Sequence, residues 1–327
     1  MQVLLSKWAS MAVSAAAKFG IADHLEDGPK TAQELAKLTG TNEDALYRLL
    51  RATSSIGVFA ETEDGHFTQT PMSDTLRTNA QPSTRFIAMM LLEDWHMNGW
   101  NEIAWSVETG HPAPRKLWNG NLFDWIHADP KRAESFDKAM SSISTTDAPL
   151  IAQAYDYSGF RHLVEIGGGE GKLLAQILEQ NPNLHGTLFE LPEVIESARV
   201  TGLLEPFKER CQMQGGSFFE SVPDGADAYL MKHILHDWDD PEAGEILDMI
   251  RRAARPTSKL LIAEWVLSPA NEPSPGKLID LEMLVMPGGR ERTEPQWREL
   301  LSAHGFRLER VIPIPNQQCL LEATPAT

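Results

Sequence analysis

The amino-acid sequence predicts an α/β protein in which a largely parallel, doubly wound sheet follows a mainly helical N-terminal part. The sheet is predicted by an apolar run that ends in a glycine-rich turn at 167–171. It is also predicted by the alternation of short apolar segments with helical ones from residue 158 onward. Capped helices followed by a hairpin predict the N-terminal part. A chain of 327 residues is long enough to build both.

The N-terminal third carries the signals of a helical unit with a small hairpin. Apolar side chains within 4–19 share one face of a first helix. Thr31 and Glu34 form a capping box for a second helix, and a third helix follows it. The stretch GVFAETEDGHFTQTP then predicts two strands joined at Asp64 and Gly65. Helix, helix and hairpin in this order are typical of a winged helix.

A winged helix can bind DNA, but the charge of this one argues against that function. Residues 1–100 contain eight Lys or Arg and twelve Asp or Glu, and Glu43 and Asp44 open the helix that would enter the major groove. The whole chain has a formal net charge of −17 and no basic patch. We therefore expect no nucleic-acid partner and interpret this unit as a dimerisation element.

Composition and the first residues indicate the compartment. The two cysteines, Cys211 and Cys319, are too few for a disulfide framework and stand in no metal-ligand spacing. Ser6, Lys7 and Ser10 interrupt the apolar run that a signal peptide would need. No stretch is long and apolar enough to span a membrane. The expected location is the cytoplasm, without a membrane partner.

Residues 82–157 are predicted to be helical and are rich in aromatic side chains, most of which should form core. Phe136 and Met140 lie four positions apart on one helical face and could instead line a pocket for a flat substrate. No linker rich in Gly, Ser or Pro marks a domain boundary. We predict a dimerisation domain at 1–100 and a catalytic domain at 101–327. The catalytic domain begins with a helical lead-in at 101–157.

Seven strands are predicted in the C-terminal part: His162–Ile166, Gly186–Glu190, Arg210–Gln214, Ala226–Met231, Lys259–Val266, Phe306–Ile314 and Gln318–Ala323. The last two lie too close in sequence for a crossover helix, so they should pair antiparallel. Between strands, Asp240 is expected to cap a helix that opens with Pro241, and Thr293 with Gln296 forms another capping box.

The glycine-rich turn predicts a nucleotide-type ligand, and its neighbours discriminate among cofactors. A dinucleotide fingerprint needs glycine where Lys172 stands, and Glu170 would repel a pyrophosphate at the helix N-terminus. Glu190, at the end of the next strand, is expected to hydrogen-bond both hydroxyls of a ribose. A ribose acid without a phosphate cradle suits S-adenosylmethionine, whose sulfonium is positive. For this stretch taken alone, a purely structural turn is the alternative.

Polar residues fall beyond the carboxyl ends of the predicted strands, where an open parallel sheet binds its ligand. They are Glu190, Ser217, Lys232, His236 and Glu264. Asp237, Asp239 and Asp240 follow closely and look like a magnesium cluster. Consecutive residues on a turning chain do not converge on one ion, however, so we expect no metal.

Together these stretches resemble the S-adenosylmethionine-dependent small-molecule O-methyltransferases, which include plant caffeate-type enzymes and bacterial and fungal natural-product tailoring enzymes. The similarity covers nearly the whole chain and is carried by LVEIGGGEG, FELP, GGSFFESVP, ADAYLMKHILHDWDD, LLIAEW and PGGRERT. It implies a Rossmann-like catalytic domain, a winged-helix dimerisation domain and a homodimer.

The resemblance also implies roles for individual residues in binding the cofactor. It places S-adenosylmethionine against Gly167 and Gly169, with the ribose on Glu190. The adenine is expected near Ser217, Phe218 and Lys232. The family more often has aspartate at positions 190 and 217; glutamate keeps that charge, whereas serine keeps only a hydrogen-bonding group.

The resemblance identifies His236 as the catalytic base, flanked by Glu264 and Glu291. The chemistry agrees, because a neutral phenol is a poor nucleophile until its proton leaves. Proton transfer from a phenol of pKa about 10 to an imidazole of pKa about 6.5 is uphill by roughly 5 kcal/mol in water. Carboxylates beside the imidazole would raise its basicity and fix its tautomer. Met283 and Met286 resemble substrate-pocket residues, although ordinary helix core explains them equally well.

The predicted function is methyl transfer from S-adenosylmethionine to a hydroxyl of a small aromatic secondary metabolite, with His236 as general base. One alternative keeps the cofactor but changes the acceptor to carbon or nitrogen, or changes the tailoring reaction on the same fold. A second is a regulator that senses S-adenosylmethionine and binds DNA through the winged helix.

Overall fold

The computed structural model describes residues 1–326, and the chain divides into two compact units. The first contains 1–101 and 126–146, and the second contains 102–125 and the chain from 147 onward. Within the described residues, no helix is long and apolar enough to cross a membrane.

The elements up to residue 101 are α1 (Gln2–Lys18), α2 (Ile21–His24), β1 (Lys30–Thr31), α3 (Ala32–Thr39), α4 (Glu43–Ser55), β2 (Phe59–Glu61), β3 (His66–Gln69), α5 (Pro71–Asp74), α6 (Arg85–Met90) and α7 (Asp94–Asn101). Four helices follow before the large sheet: α8 (Ile103–Thr109), α9 (Ala113–Leu117), α10 (Leu122–His127) and α11 (Pro130–Ala154).

The remaining elements are β4 (His162–Ile166), α12 (Lys172–Gln180), β5 (His185–Glu190), α13 (Pro192–Thr201), β6 (Cys211–Gly215), β7 (Ala228–Lys232), α14 (Asp240–Ala253), β8 (Lys259–Glu264), β9 (Val266–Leu267), α15 (Gly276–Val285), β10 (Arg292–Thr293), α16 (Glu294–Ala303), β11 (Phe306–Pro313) and β12 (Cys319–Pro325). Short 3-10 turns at Glu205–Phe207 and Leu235–Asp237 complete the set.

The first unit is a helical domain with a three-stranded sheet of order β1-β3-β2. Leu35, Leu50 and Phe67 lie in its core. The predicted capping box of α3 is confirmed, because the Glu34 amide donates to Thr31 Oγ1 at 3.2 Å and the Thr31 amide donates to Glu34 Oε2 at 2.8 Å. The predicted hairpin is present as the antiparallel pair β2 and β3.

The large apolar side chains of α1 are exposed in the single chain. Leu4 is 74% exposed and Trp8 is 68% exposed. The residues that this helix buries are small: Ser14, Ala16 and Ala17. The apolar face predicted for this helix therefore remains available to another chain.

The second unit is built on a seven-stranded sheet of order β11-β12-β8-β7-β4-β5-β6. Strands β4 to β8 run parallel, and β12 pairs antiparallel with both β8 and β11, as predicted for the last pair. One face packs against α14 and α16, with Ile246 and Trp297 buried. The other face packs against α12, with Leu174 and Ile177 buried. Apolar layers on both faces explain why the central strands are nearly all hydrophobic.

The structure corrects two local predictions. The cap of α14 is Asp239 rather than Asp240, because Asp239 has the extended backbone of a cap and its side chain accepts from the Asp240 amide at 2.9 Å. The Asp240 carboxylate instead binds Arg292. The strand predicted to reach Val266 ends at Glu264, since Val266 belongs to the separate pair β9 and β10.

Candidate active site

The turn between β4 and α12 needs glycine because of both backbone conformation and space. Gly167 and Gly169 have φ values of 67° and 58°, in the left-handed region. A Cβ on Gly167 would lie 2.4 Å from Ile234 Cδ1, whereas a Cβ on Gly169 would meet nothing within 4 Å. The turn is therefore packed behind Gly167 and open at Gly169, where a ligand can approach the backbone.

Glu190 lies beside this opening at the end of β5. Its Oε1 accepts from the Gly169 amide at 3.1 Å, and its Oε2 accepts from the Leu191 amide at 2.7 Å. Two backbone amides thus orient an acidic acceptor next to the open face of the turn. A carboxylate at this point suits ribose hydroxyls and a cationic ligand, and it opposes a phosphate.

Glu165, which sequence reasoning missed, is buried directly beneath the turn. Its Oε2 accepts from the Leu174 amide at 3.2 Å, and a Cβ on Gly168 would lie 2.5 Å from its carboxyl carbon. Burial raises the pKa of Glu165 to about 8. The only available signal was a charged residue inside the apolar run LVEI. This side chain supports the backbone that surrounds the opening.

The three residues expected near the adenine lie in separate environments of the second unit. Ser217 Oγ accepts from the Phe219 amide at 3.3 Å. The Phe218 ring meets the edge of Trp238 at a centroid distance of 6.2 Å. Lys232 ends β7, and burial lowers its pKa. Their contact with a cofactor stays a prediction.

His236 lies in a cluster of acidic side chains in the second unit. The imidazole is 7% exposed and lies on the 3-10 turn that follows β7. Its Nδ1 is 2.7 Å from Glu291 Oε1 and 3.4 Å from Glu264 Oε2. Its Nε2 is 3.6 Å from Asp237 Oδ1. The sequence predicted the two glutamates but assigned no role at the base to Asp237.

Glu264 also fixes the backbone of this turn. Its Oε1 accepts from the amides of Ile234 and His236 at 3.1 and 3.3 Å. Since β8 lies next to β7, the last residue of β8 reaches the turn that leaves β7. The parallel register therefore explains how residues 28 positions apart meet.

The charges around the imidazole determine its tautomer and its basicity. Burial disfavours the imidazolium, but Glu264, Glu291 and Asp237 outweigh burial and raise the pKa of His236 to about 10. Burial raises the pKa of Glu264 and that of Asp237 to about 7. In the neutral imidazole, the short contact to Glu291 favours the proton on Nδ1, which leaves Nε2 as the atom that can accept a proton.

The loop that carries Glu291 holds the turn of His236 through its backbone. The Arg290 amide donates to the His236 carbonyl at 2.8 Å, and a Cβ on Gly289 would lie 2.0 Å from that carbonyl oxygen. Arg292, which is 1% exposed, donates to the carbonyl of Leu235 at 3.0 Å. It donates to the carbonyl of Trp238 at the same distance. Sequence reasoning missed Arg292, although the motif GGRERT contains it.

His233 packs beside the base. Its ring lies 5.3 Å from the ring of His236, with 24° between the planes. Burial lowers the pKa of His233 well below its usual value of 6.5, so this imidazole is neutral. Its φ of 54° is unusual for a residue other than glycine. One face of the base is thus covered by an uncharged ring.

The predicted pocket residues fall in both units. Met283 and Met286 lie at the C-terminal end of α15 in the second unit and are 8% and 1% exposed. Phe136 and Met140 lie on α11 within the first unit, and both are partly buried. Their role in substrate binding stays a prediction.

Comparison with known proteins identifies the family. The O-methyltransferase domain model matches residues 90–307, and the O-methyltransferase dimerisation domain model matches residues 1–79. The mitomycin biosynthesis 6-O-methyltransferase of Streptomyces lavendulae is 40% identical over 95% of this chain and 89% of its own. The phenazine O-methyltransferase PhzM of Lysobacter antibioticus is 38% identical over 99% of this chain and 95% of its own.

A solved structure with a bound cofactor gives the same result. The O-methyltransferase NcsB1 from neocarzinostatin biosynthesis, in complex with S-adenosylmethionine and 2-hydroxy-5-methyl naphthoic acid, has a TM-score of 0.81 and 33% identity to this chain. The match covers 97% of this chain and 95% of that one. The chain therefore belongs to the S-adenosylmethionine-dependent O-methyltransferases.

Proposed function

We propose that this protein methylates a hydroxyl of a small aromatic metabolite and that His236 is the general base. The observation that carries this proposal is the buried imidazole whose Nδ1 is bound by Glu291, leaving Nε2 as the proton acceptor. The relatives support an aromatic acceptor, since their names refer to mitomycin, phenazine and a naphthoic acid.

The residues around the glycine turn fit the cofactor. Gly169 leaves open space beside its backbone, and Glu190 offers an oriented carboxylate there. We propose that S-adenosylmethionine lies against Gly167 and Gly169 and that its ribose binds Glu190. When bound, S-adenosylmethionine supplies an electrophilic methyl group on a positively charged sulfonium. Ser217, Phe218 and Lys232 are proposed to surround the adenine.

His236 is proposed to act as a base through its Nε2 atom. Nε2 of His236 takes the hydroxyl proton of the acceptor as the acceptor oxygen becomes nucleophilic. Nδ1 keeps its own proton, which is hydrogen-bonded to Glu291. Because Glu264 and Glu291 raise the basicity of the imidazole, its unprotonated form faces less than the roughly 5 kcal/mol that separate a phenol from an ordinary imidazole. The remaining acceleration comes from holding the two reacting atoms in line.

The acceptor site is proposed to be apolar. Met283 and Met286 supply flexible, polarizable side chains that can contact a ring. Phe136 and Met140 lie four positions apart on α11 and therefore share one face of that helix. That face is proposed to contact a flat molecule.

We also propose a homodimer. The match to the dimerisation domain over residues 1–79 supports it. The exposed Leu4 and Trp8 of α1 support it independently, because large apolar side chains rarely stay in water at the surface of a monomer.

A cytoplasmic location also stays a prediction, with the free thiols of Cys211 and Cys319 in its favour.

The decisive experiment offers the purified protein S-adenosylmethionine with a labelled methyl group and a panel of phenolic acceptors. We expect a product heavier by one methyl group, with NMR locating that group on oxygen. A methyl group found on nitrogen or carbon would show that the acceptor atom is not oxygen. Failure of calorimetry to detect binding of S-adenosylmethionine to the folded protein would refute the proposal as a whole.

A further inference from the structure

Each methyl transfer leaves a proton on His236 that must return to solvent before the next cycle. The side chains of Glu264 and Glu291 contact the Nδ1 side of the ring and are completely buried, at 0% exposure. Neither can exchange a proton directly with water. The Nε2 side, where the proton arrives, faces Asp237 at 3.6 Å, and the side chain of Asp237 is 21% exposed.

We propose that Asp237 relays the proton from His236 Nε2 to solvent after each methyl transfer, an inference that rests on the proposed function. In the first step the O–H bond of the acceptor breaks, its oxygen forms the bond to the methyl carbon, and Nε2 binds the proton. In the second step the Nε2–H bond breaks as Asp237 Oδ1 binds the proton. A base in solvent then removes the proton from Asp237, which restores the starting state.

The neighbouring acids cannot take this role. Asp239 caps α14, and Asp240 is bound to Arg292. Asp237 is the neighbour of His236 on one 3-10 turn, so its distance to Nε2 is fixed by a short stretch of backbone.

The charges that face Asp237 suit a group that both accepts and releases a proton. Burial is the largest influence and raises the pKa of Asp237 to about 7, with Glu264 and Glu282 acting in the same direction. The positive charges of His236 and Lys232 act in the opposite direction. These opposing influences raise the pKa of Asp237 toward neutrality, where a carboxyl group can both accept and release a proton.

The same carboxylates that make His236 a strong base make it a reluctant proton donor. A buried imidazolium without a proton carrier beside Nε2 would release its proton slowly and delay turnover. The relay therefore matters for kcat rather than for the first methyl transfer, and this difference can be measured.

The test compares Asp237→Asn with Glu264→Gln in the full-length protein. Both substitutions remove a carboxyl group near the imidazole and so weaken the base, but only the first removes a partly exposed carrier. Rapid-quench measurements give the first turnover, and steady-state measurements give kcat. For Asp237→Asn we expect a burst of one methylated product per site, followed by a kcat at least about tenfold lower than in the wild type. Formate or imidazole buffer should restore that kcat.

Glu264→Gln should slow the first turnover and kcat together, and small buffers should not rescue it. Asp237→Asn with an unchanged kcat, or with a reduced kcat that no buffer restores, would overturn the relay. Rescue of both variants to the same extent would also overturn it. Absence of a first turnover in the wild-type protein would instead refute the proposed function.

Discussion

Replacing Glu291 by glutamine tests the role of the shortest contact in the cluster. The carboxylate lies 2.7 Å from His236 Nδ1 and is nearly inaccessible to water, so its negative charge acts at close range. A hydrogen bond to a charged group in such a place contributes about 1.5–3 kcal/mol. If the transition state loses that amount, kcat/KM falls about 10- to 150-fold.

The pH dependence gives this test its direction. The base must be unprotonated to accept a proton, so activity falls as pH drops below its pKa. The carboxylates raise the pKa of His236, and removing one of them lowers it. We therefore expect the acidic limb of the kcat/KM profile to move to lower pH by about one to two pH units in Glu291→Gln, as the same 1.5–3 kcal/mol implies. The plateau at high pH should be lower than in the wild type.

The assay is the initial rate of methylation between pH 6 and about 10.5, with binding of S-adenosylmethionine measured in parallel by calorimetry. Glu294→Gln is the matched control, because Glu294 lies three residues away and its carboxylate binds Arg298 on the same helix. This control should retain the wild-type profile. A Glu291→Gln profile that keeps the wild-type limb, with or without a lower rate, would refute the assignment of Glu291 to the basicity of His236.

Further variants separate the base from the cofactor site. His236→Ala should lower turnover about 100-fold or more while leaving the affinity for S-adenosylmethionine nearly intact, and equal turnover would remove His236 from the mechanism. Glu190→Ala should weaken cofactor binding first, by about 1.5–3 kcal/mol, as calorimetry would show; unchanged affinity would contradict the ribose assignment. Gly169→Ala should also weaken cofactor binding, because its methyl group would occupy open space and its φ of 58° disfavours alanine, whereas wild-type affinity would place the cofactor elsewhere. Exhaustive chelation should leave full activity, and a loss that magnesium restores would contradict a metal-free reaction.

Much of the fold follows from local patterns in the sequence. The capping boxes at Thr31 and Thr293 are present because each needs only residues three positions apart. The antiparallel last pair follows from the short spacing between its two segments. At Asp239 and Asp240 the local pattern was ambiguous, since two adjacent aspartates both suit a cap. The choice depends on Arg292, which is distant in sequence.

The candidate site was less accessible to sequence reasoning for the same reason. His236 and Glu264 could be named because each was expected near the ligand edge of the sheet, where the parallel strands end. Glu165 and Arg292 could not, since their partners are backbone groups that only the fold brings near. A charged side chain that binds backbone amides or carbonyls carries no partner motif in the sequence.

The hydrogen bonds from Arg292 to the carbonyls of Leu235 and Trp238 affect how this enzyme can be redesigned. The turn that carries the imidazole is thus held through its main-chain atoms by a guanidinium that is almost completely buried. A redesign of the proposed acceptor pocket should therefore leave Arg292 in place, so that the turn carrying His236 keeps its position.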